Sequence, residues 1–146
     1  MGIWAFYNAH SQTAVEHWLQ DNTSYEEEPF FDLNIGKAFH WLHRILTGSD
    51  EPIFDNILSN AVLGKYGYPG FDWGSGCWWF ECYCGSYIDN KTVKQIAEKL
   101  KDLQLKDFPL FEECQVQEWI EDEFNELKKF YQKAAEQNLA VETFFG

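Results

Sequence analysis

The side chains best suited to chemistry in this chain are a histidine pair and a cluster of cysteines. His40 and His43 stand in "FHWLHRILTG", three positions apart. On a helix, residues at i and i+3 are surface neighbours. Such a pair can share a metal ion or hold a substrate carboxylate, since imidazole ligates metals and imidazolium donates to carboxylates. No H-E-x-x-H pattern and no third ligand at a fixed offset accompanies them. The plain alternative is an amphipathic helix whose histidines hydrogen-bond to neighbouring loops. His43 would then sit near the edge of the apolar face and His40 near the opposite side.

The cysteines stand in "WGSGCWWFECYCG", as Cys77, Cys82 and Cys84, with Cys114 thirty residues on. Read as a strand, "CWWFECYC" puts Trp78, Phe80, Cys82 and Cys84 on one face and Cys77, Trp79, Glu81 and Tyr83 on the other. The first face is apolar throughout and belongs in a core. Cys82 and Cys84 can touch one ion, with Cys114 or a histidine completing it. Structural zinc sites, however, usually join one ligand pair at C-x2-4-C spacing to a second pair elsewhere; here the run is C-x4-C-x-C and only Cys114 follows it. Buried thiols are the simpler expectation. There is no C-x-x-C redox pair, no G-x-S-x-G elbow and no phosphate loop: in "GKYGYPG", Lys65 is followed by Tyr66 instead of Ser or Thr. Carboxylates are so numerous that no one pair can be nominated as acid and base.

These groups must be carried by regular elements, and the hydrophobic periodicity supplies them. Residues 3–8 read as a strand. Ser11 caps a short helix to about Gln20, with Ala14, Val15, Trp18 and Leu19 on one face. "DNTSYEEEP" is an acidic loop. Asp32 or Asn34 is expected to cap a helix in which Ile35, Ala38, Phe39, Leu42, Ile45 and Leu46 repeat at helical spacing, with Gly48 ending it. Asp50 and Pro52 are expected to start another, burying Ile53, Phe54, Ile57 and Leu58. Residues 64–76 are a glycine-rich loop. Asp89 or Asn90 caps a helix with Val93, Ile96, Ala97, Leu100 and Leu103 inside. After the loop "LKDFPLFEE", the longest helix runs from about Gln117 to Gln137 on Ile120, Phe124, Leu127, Tyr131 and Ala134. Asn138 suits the left-handed residue that ends it, and "LAVETFF" is a closing strand. The class is α+β: one domain over residues 1–146, amphipathic helices packed with a small sheet of N-terminal, central and C-terminal strands.

Charge narrows the function. The formal net charge is -13 in 146 residues. No Lys or Arg precedes Lys37, and a second acidic block runs from Glu112 to Glu126 with no base inside it. Such a field repels phosphate backbones and anionic membranes, and attracts basic proteins. A solvated acidic face that only confers solubility is the plain alternative. Aromatic residues make up 18%, more than a core of this size usually needs, so some rings are expected on a binding surface. The start lacks a basic n-region and an apolar h-region, no run approaches a membrane span, and the expected address is the cytoplasm.

The order of segments resembles the bacterial YfbM-like family, catalogued as a domain of unknown function. The resemblance rests on "MGIWAFYN", "IGKAFHWLHRILTG", "NAVLGKYGYPG", "GSYIDNKTVKQIAEKL" and "EFNELKKFYQKAAEQNLAVETFF", and runs nearly end to end. Its most specific element is Phe39, His40, His43, Leu46, Thr47 and Gly48. Residues 70–84 are richer in Trp and Cys than the family, and Asn138 stands where relatives often have Gly. The resemblance implies a compact α+β fold, a bacterial cytoplasmic setting and an association with toxin-immunity gene clusters. It brings no catalytic residues.

The expectation that follows is a small acidic protein that acts by protein binding, as an immunity-type inhibitor of a basic toxin or enzyme, without a cofactor. Glu26, Glu27, Glu28, Glu112, Glu113, Glu118, Glu121 and Asp122 would steer the partner, and Trp73, Trp79 and Tyr83 would anchor it. The alternative is an enzyme or metal-binding domain centred on His40 and His43, with Cys82, Cys84 or Cys114.

Overall fold

Alternation in the first strand sets the architecture. The computed structural model describes residues 3–22, 24–67 and 84–146. Strand β1 (Ala5–His10) sends Ala5, Tyr7 and Ala9 into the main core, which leaves Phe6, Asn8 and His10 on the opposite face. It pairs antiparallel with β2 (Phe31–Gly36) on one side and β5 (Ala140–Phe145) on the other. Beyond β5 lie β4 (Cys84–Ile88) and the two-residue β3 (Tyr66–Gly67), giving the order β2-β1-β5-β4-β3. The N- and C-terminal strands are thus hydrogen-bonded neighbours inside the sheet.

Helices α2 (Ala38–Thr47), α3 (Ile57–Leu63), α4 (Asn90–Lys101) and α5 (Gln117–Glu136) build the core with one sheet face. Helix α1 (Gln12–Leu19) packs on the other, setting Val15 against Tyr87 and Ala140. Its start is the expected one: Ser11 Oγ accepts the Ala14 amide at 3.1 Å. Asp89 caps α4 in the same way through Thr92. In α5 the periodic residues Ile120, Phe124, Leu127, Tyr131 and Ala134 are all buried. Each large apolar side chain there contributes roughly 1.5–3 kcal/mol of burial. Gly48 (φ 76°) and Asn138 (φ 57°) take the left-handed conformation at the ends of α2 and α5.

Two expected helix starts are corrected. Residues 31–36 are a strand, so neither Asp32 nor Asn34 caps a helix, and α2 begins at Ala38. Phe31, Leu33 and Ile35 alternate with exposed Asp32 and Asn34, and pairing with β1 overrides the helical spacing that Ile35 shares with Ala38 and Phe39. Asn34 instead turns the chain, its Oδ1 accepting the Gly36 amide at 2.8 Å. Likewise α3 starts at Ile57, capped by Asn56 Oδ1 on the Leu58 and Ser59 amides, well past Asp50 and Pro52. Ile53 is only half-buried and Phe54 is exposed. The expected loop at 105–113 contains short 3-10 turns at Leu105–Asp107 and Pro109–Glu113.

Helix α3 is held by its neighbours. Seven residues are too few for a helix to stand alone, and its last carbonyls are buried without partners of their own. Three hydroxyls supply them. Tyr131 Oη donates to Ala61 O at 2.5 Å, Tyr7 Oη to Val62 O at 2.6 Å and Ser86 Oγ to Leu63 O at 2.8 Å. The next residue, Gly64, has φ 86°, and a Cβ there would fall 1.5 Å from Ser86 Oγ. Only glycine satisfies both demands.

Candidate functional site

The histidine pair of α2 is divided by burial. His43 is fully buried, not at the edge of the apolar face. Its Nδ1 donates to the Ser49 carbonyl at 2.8 Å, which assigns Nε2 as the acceptor of the Ser59 hydroxyl at 2.8 Å. Ser59 Oγ in turn accepts the Ile53 amide at 2.8 Å. Burial pulls the His43 pKa down to about 4, against the opposing influence of the Ser49 carbonyl and Asp50. Both ring nitrogens are engaged, so His43 ties α2 to α3 and the loop between them. His40 is exposed, with Nε2 3.6 Å from Asp50 Oδ1. Cys114 lies buried in the main core. Cys84 is described only as the first residue of β4, and Cys82 lies outside the described residues. Among the described residues no group of three or more His, Cys, Asp or Glu is placed to hold a metal ion.

A third histidine, unnoticed in the sequence, organises the other sheet face. His10 is buried at the end of β1. Its Nδ1 lies 3.2 Å from Glu27 Oε1 and its Nε2 3.8 Å from Glu142 Oε1. Asn8, across the strand pair, donates to the same Glu142 oxygen at 3.1 Å. Trp18 sets its ring edge-on to His10, with centroids 4.7 Å apart, and donates Nε1–H to Tyr25 O. Glu27 also accepts the Ser11 amide at 2.8 Å and the Ser11 hydroxyl at 2.5 Å. Burial pushes the Glu27 carboxyl up, but the Ser11 and His10 donors outweigh it and hold the group below the ordinary carboxylate range. Glu27 is therefore a fixed internal anchor for the loop after α1. Glu26 and Glu28 beside it are exposed. The signal for this cluster was the period-two pair Asn8 and His10, on one strand face.

The second acidic block is different in character. Glu112, Glu113, Glu118, Glu121 and Asp122 are all exposed. Glu118 and Asp122 lie one helical turn apart on α5, and Trp119, 40% exposed, stands between them in sequence. Trp119 shares a cleft of about 320 Å³ with Trp4, which is 47% exposed, and with Asn34, Gly36, Lys37 and Glu123 over buried Ile35. The Trp4 backbone exchanges two hydrogen bonds with Gly146, so this indole projects from a fixed strand end. Burial, with Glu126 and Asp122 adding to it, raises the Glu123 pKa. The structure thus presents two exposed indoles on one cleft that were not singled out from the sequence. The anchors expected instead, Trp73, Trp79 and Tyr83, lie outside the described residues. The two acidic blocks sit near opposite ends of β1, with Trp4 and His10 about 20 Å apart at ~3.3 Å per residue.

Among the described residues no helix is long and apolar enough to cross a membrane. No curated protein matches the chain. A solved structure with the same fold is that of YfbM, a protein of unknown function from Escherichia coli. The likeness covers 98% of this chain and 99% of that one, at a TM-score of 0.67 and 18% identity. A family model described as a domain of unknown function, DUF1877, matches residues 1–110. On that match, with the fold shared end to end with YfbM, the chain belongs to the DUF1877, or YfbM-like, family.

Proposed function

We propose that this protein acts by binding a basic protein, as an immunity-type inhibitor that occludes a toxin or enzyme in the bacterial cytoplasm. The observation that carries this reading is the cleft lined by Trp4 and Trp119, two half-exposed indoles, together with Glu123 and Lys37; the helix of Trp119 and Glu123 also carries exposed Glu118 and Asp122. Binding hot spots are enriched in Trp, and a rigid ring loses little conformational freedom on docking. The surrounding carboxylates steer a cationic partner and reject anionic ones. The net charge of -13 extends that field over the whole surface.

The test is the rate of association with the basic partner at low and high salt. Steering predicts an on-rate that falls as salt rises, and a slower on-rate for a variant carrying Glu118→Gln, Asp122→Asn and Glu123→Gln. An on-rate indifferent to both would remove the electrostatic part of the reading. Loss of the partner's activity in the complex separates an inhibitor from a mere adaptor.

A further inference from the structure

We infer that the Trp4–Trp119 cleft is a receptor for one arginine side chain of the partner. This rests on the protein-binding reading above and gives its central contact. Among the described residues neither indole makes an aromatic ring contact and neither indole N–H has a hydrogen-bond partner, and the exposed part of each ring is open to a ligand. The cleft, at about 320 Å³, admits one extended side chain and no folded element. Glu123 stands one helical turn from Trp119 and lines the same cleft.

The chemistry selects arginine. A guanidinium is planar, stacks on indole faces and donates two parallel hydrogen bonds to a carboxylate. A lysine ammonium is a strongly hydrated point charge that does neither as well. Glu123 is partly buried and is crowded by Glu126 and Asp122, which together raise the cost of its charge. An incoming cation relieves that crowding. Lys37 lines the cleft as well. It stands as the one base against the one carboxylate of the lining, Glu123, and disfavours a second cation beside the first.

The test is heteronuclear NMR of the full chain, read at the tryptophan indole N–H signals. Trp4→Phe and Trp119→Phe assign the two relevant signals. The probes are N-acetyl-arginine amide and its lysine and glutamate counterparts. Arginine is expected to shift both signals saturably, lysine several-fold more weakly and glutamate not at all. Glu123→Gln is expected to weaken the arginine response about tenfold, and Trp119→Phe to abolish the shift at Trp4. Equal responses to arginine and lysine, or no response at either signal, would overturn the inference. If the basic partner still moves both signals in that case, the binding reading stands and only the arginine assignment falls. If the partner binds without moving them, both fail.

Discussion

His43 and Ser59 share a buried hydrogen bond of 2.8 Å, in which the neutral imidazole accepts and the hydroxyl donates. The bond joins α2 to α3 and depends on the protonation state of one side chain. A charged imidazole would have no lone pair for Ser59 and would bring a charge into the core.

Acid should therefore loosen this joint. The folded pKa of about 4 lies below the ordinary 6.5, so between those values the unfolded chain binds the extra proton. Stability from neutral His43 is complete above pH 6.5 and is lost as pH falls toward 4. At about 1.4 kcal/mol per pKa unit the total is roughly 3 kcal/mol. Urea unfolding across that range should show it. A His43→Gln variant should start less stable at neutral pH and lose this pH slope.

Below that window Glu27 takes over. Its folded carboxyl titrates below the ordinary value, so its contribution is present above the ordinary value and is lost as pH falls through the lower folded one. Ser11→Ala removes both the α1 cap and a donor to Glu27, and should cost about 1–2 kcal/mol. Combining it with Glu27→Gln should cost less than the sum of the two, since both changes act on the same hydrogen bond from the Ser11 hydroxyl to Glu27.

The amphipathic elements were readable in the sequence because their periodicity follows from their packing. Ser11, Asp89, Gly48 and Asn138 marked their ends for local reasons that hold in the folded chain. Strand β2 was hidden, since Ile35 fits a helical repeat with Ala38 and Phe39 as well as an alternation with Phe31 and Leu33. Only pairing with β1, a long-range contact, decides between them. The same holds for function. Glu27 reads as one charge in an acidic run, yet Ser11 and His10 draw it inward. Trp4 and Trp119 are 115 positions apart in numbering and share a cleft only because α5 packs against β2, beside the residue that leads into β1.

Gly64→Ala should be among the most damaging single changes. The added Cβ would collide with Ser86 Oγ and Thr143 Oγ1 at a positive φ. A loss of roughly 3 kcal/mol or more is expected, measured as a large fall in melting temperature or failure to recover folded protein.

Removing the hydroxyls that hold α3 should act locally. Tyr131→Phe and Tyr7→Phe each leave a buried carbonyl without its donor, at about 1–3 kcal/mol apiece. Hydrogen exchange should accelerate first in residues 57–63, ahead of the sheet. Uniform acceleration across the chain would show that α3 is not held separately.

Trp119→Ala should separate binding from folding. Trp119 is 40% exposed and the rest of it is covered, so truncation should cost about 1–2 kcal/mol of stability and leave the protein folded, while partner binding weakens by about a further 2 kcal/mol, as for an interface anchor. Thermal melting and binding of the same preparation give both numbers.

The most direct measurement is co-purification from the source cell, comparing the wild-type chain with the Trp4→Ala/Trp119→Ala double variant at low and high salt. The wild type should hold one stoichiometric basic protein at low salt and release it at high salt, and the variant should hold none. An acidic or neutral partner, or a basic one held equally by both chains, would contradict the proposed binding at the cleft.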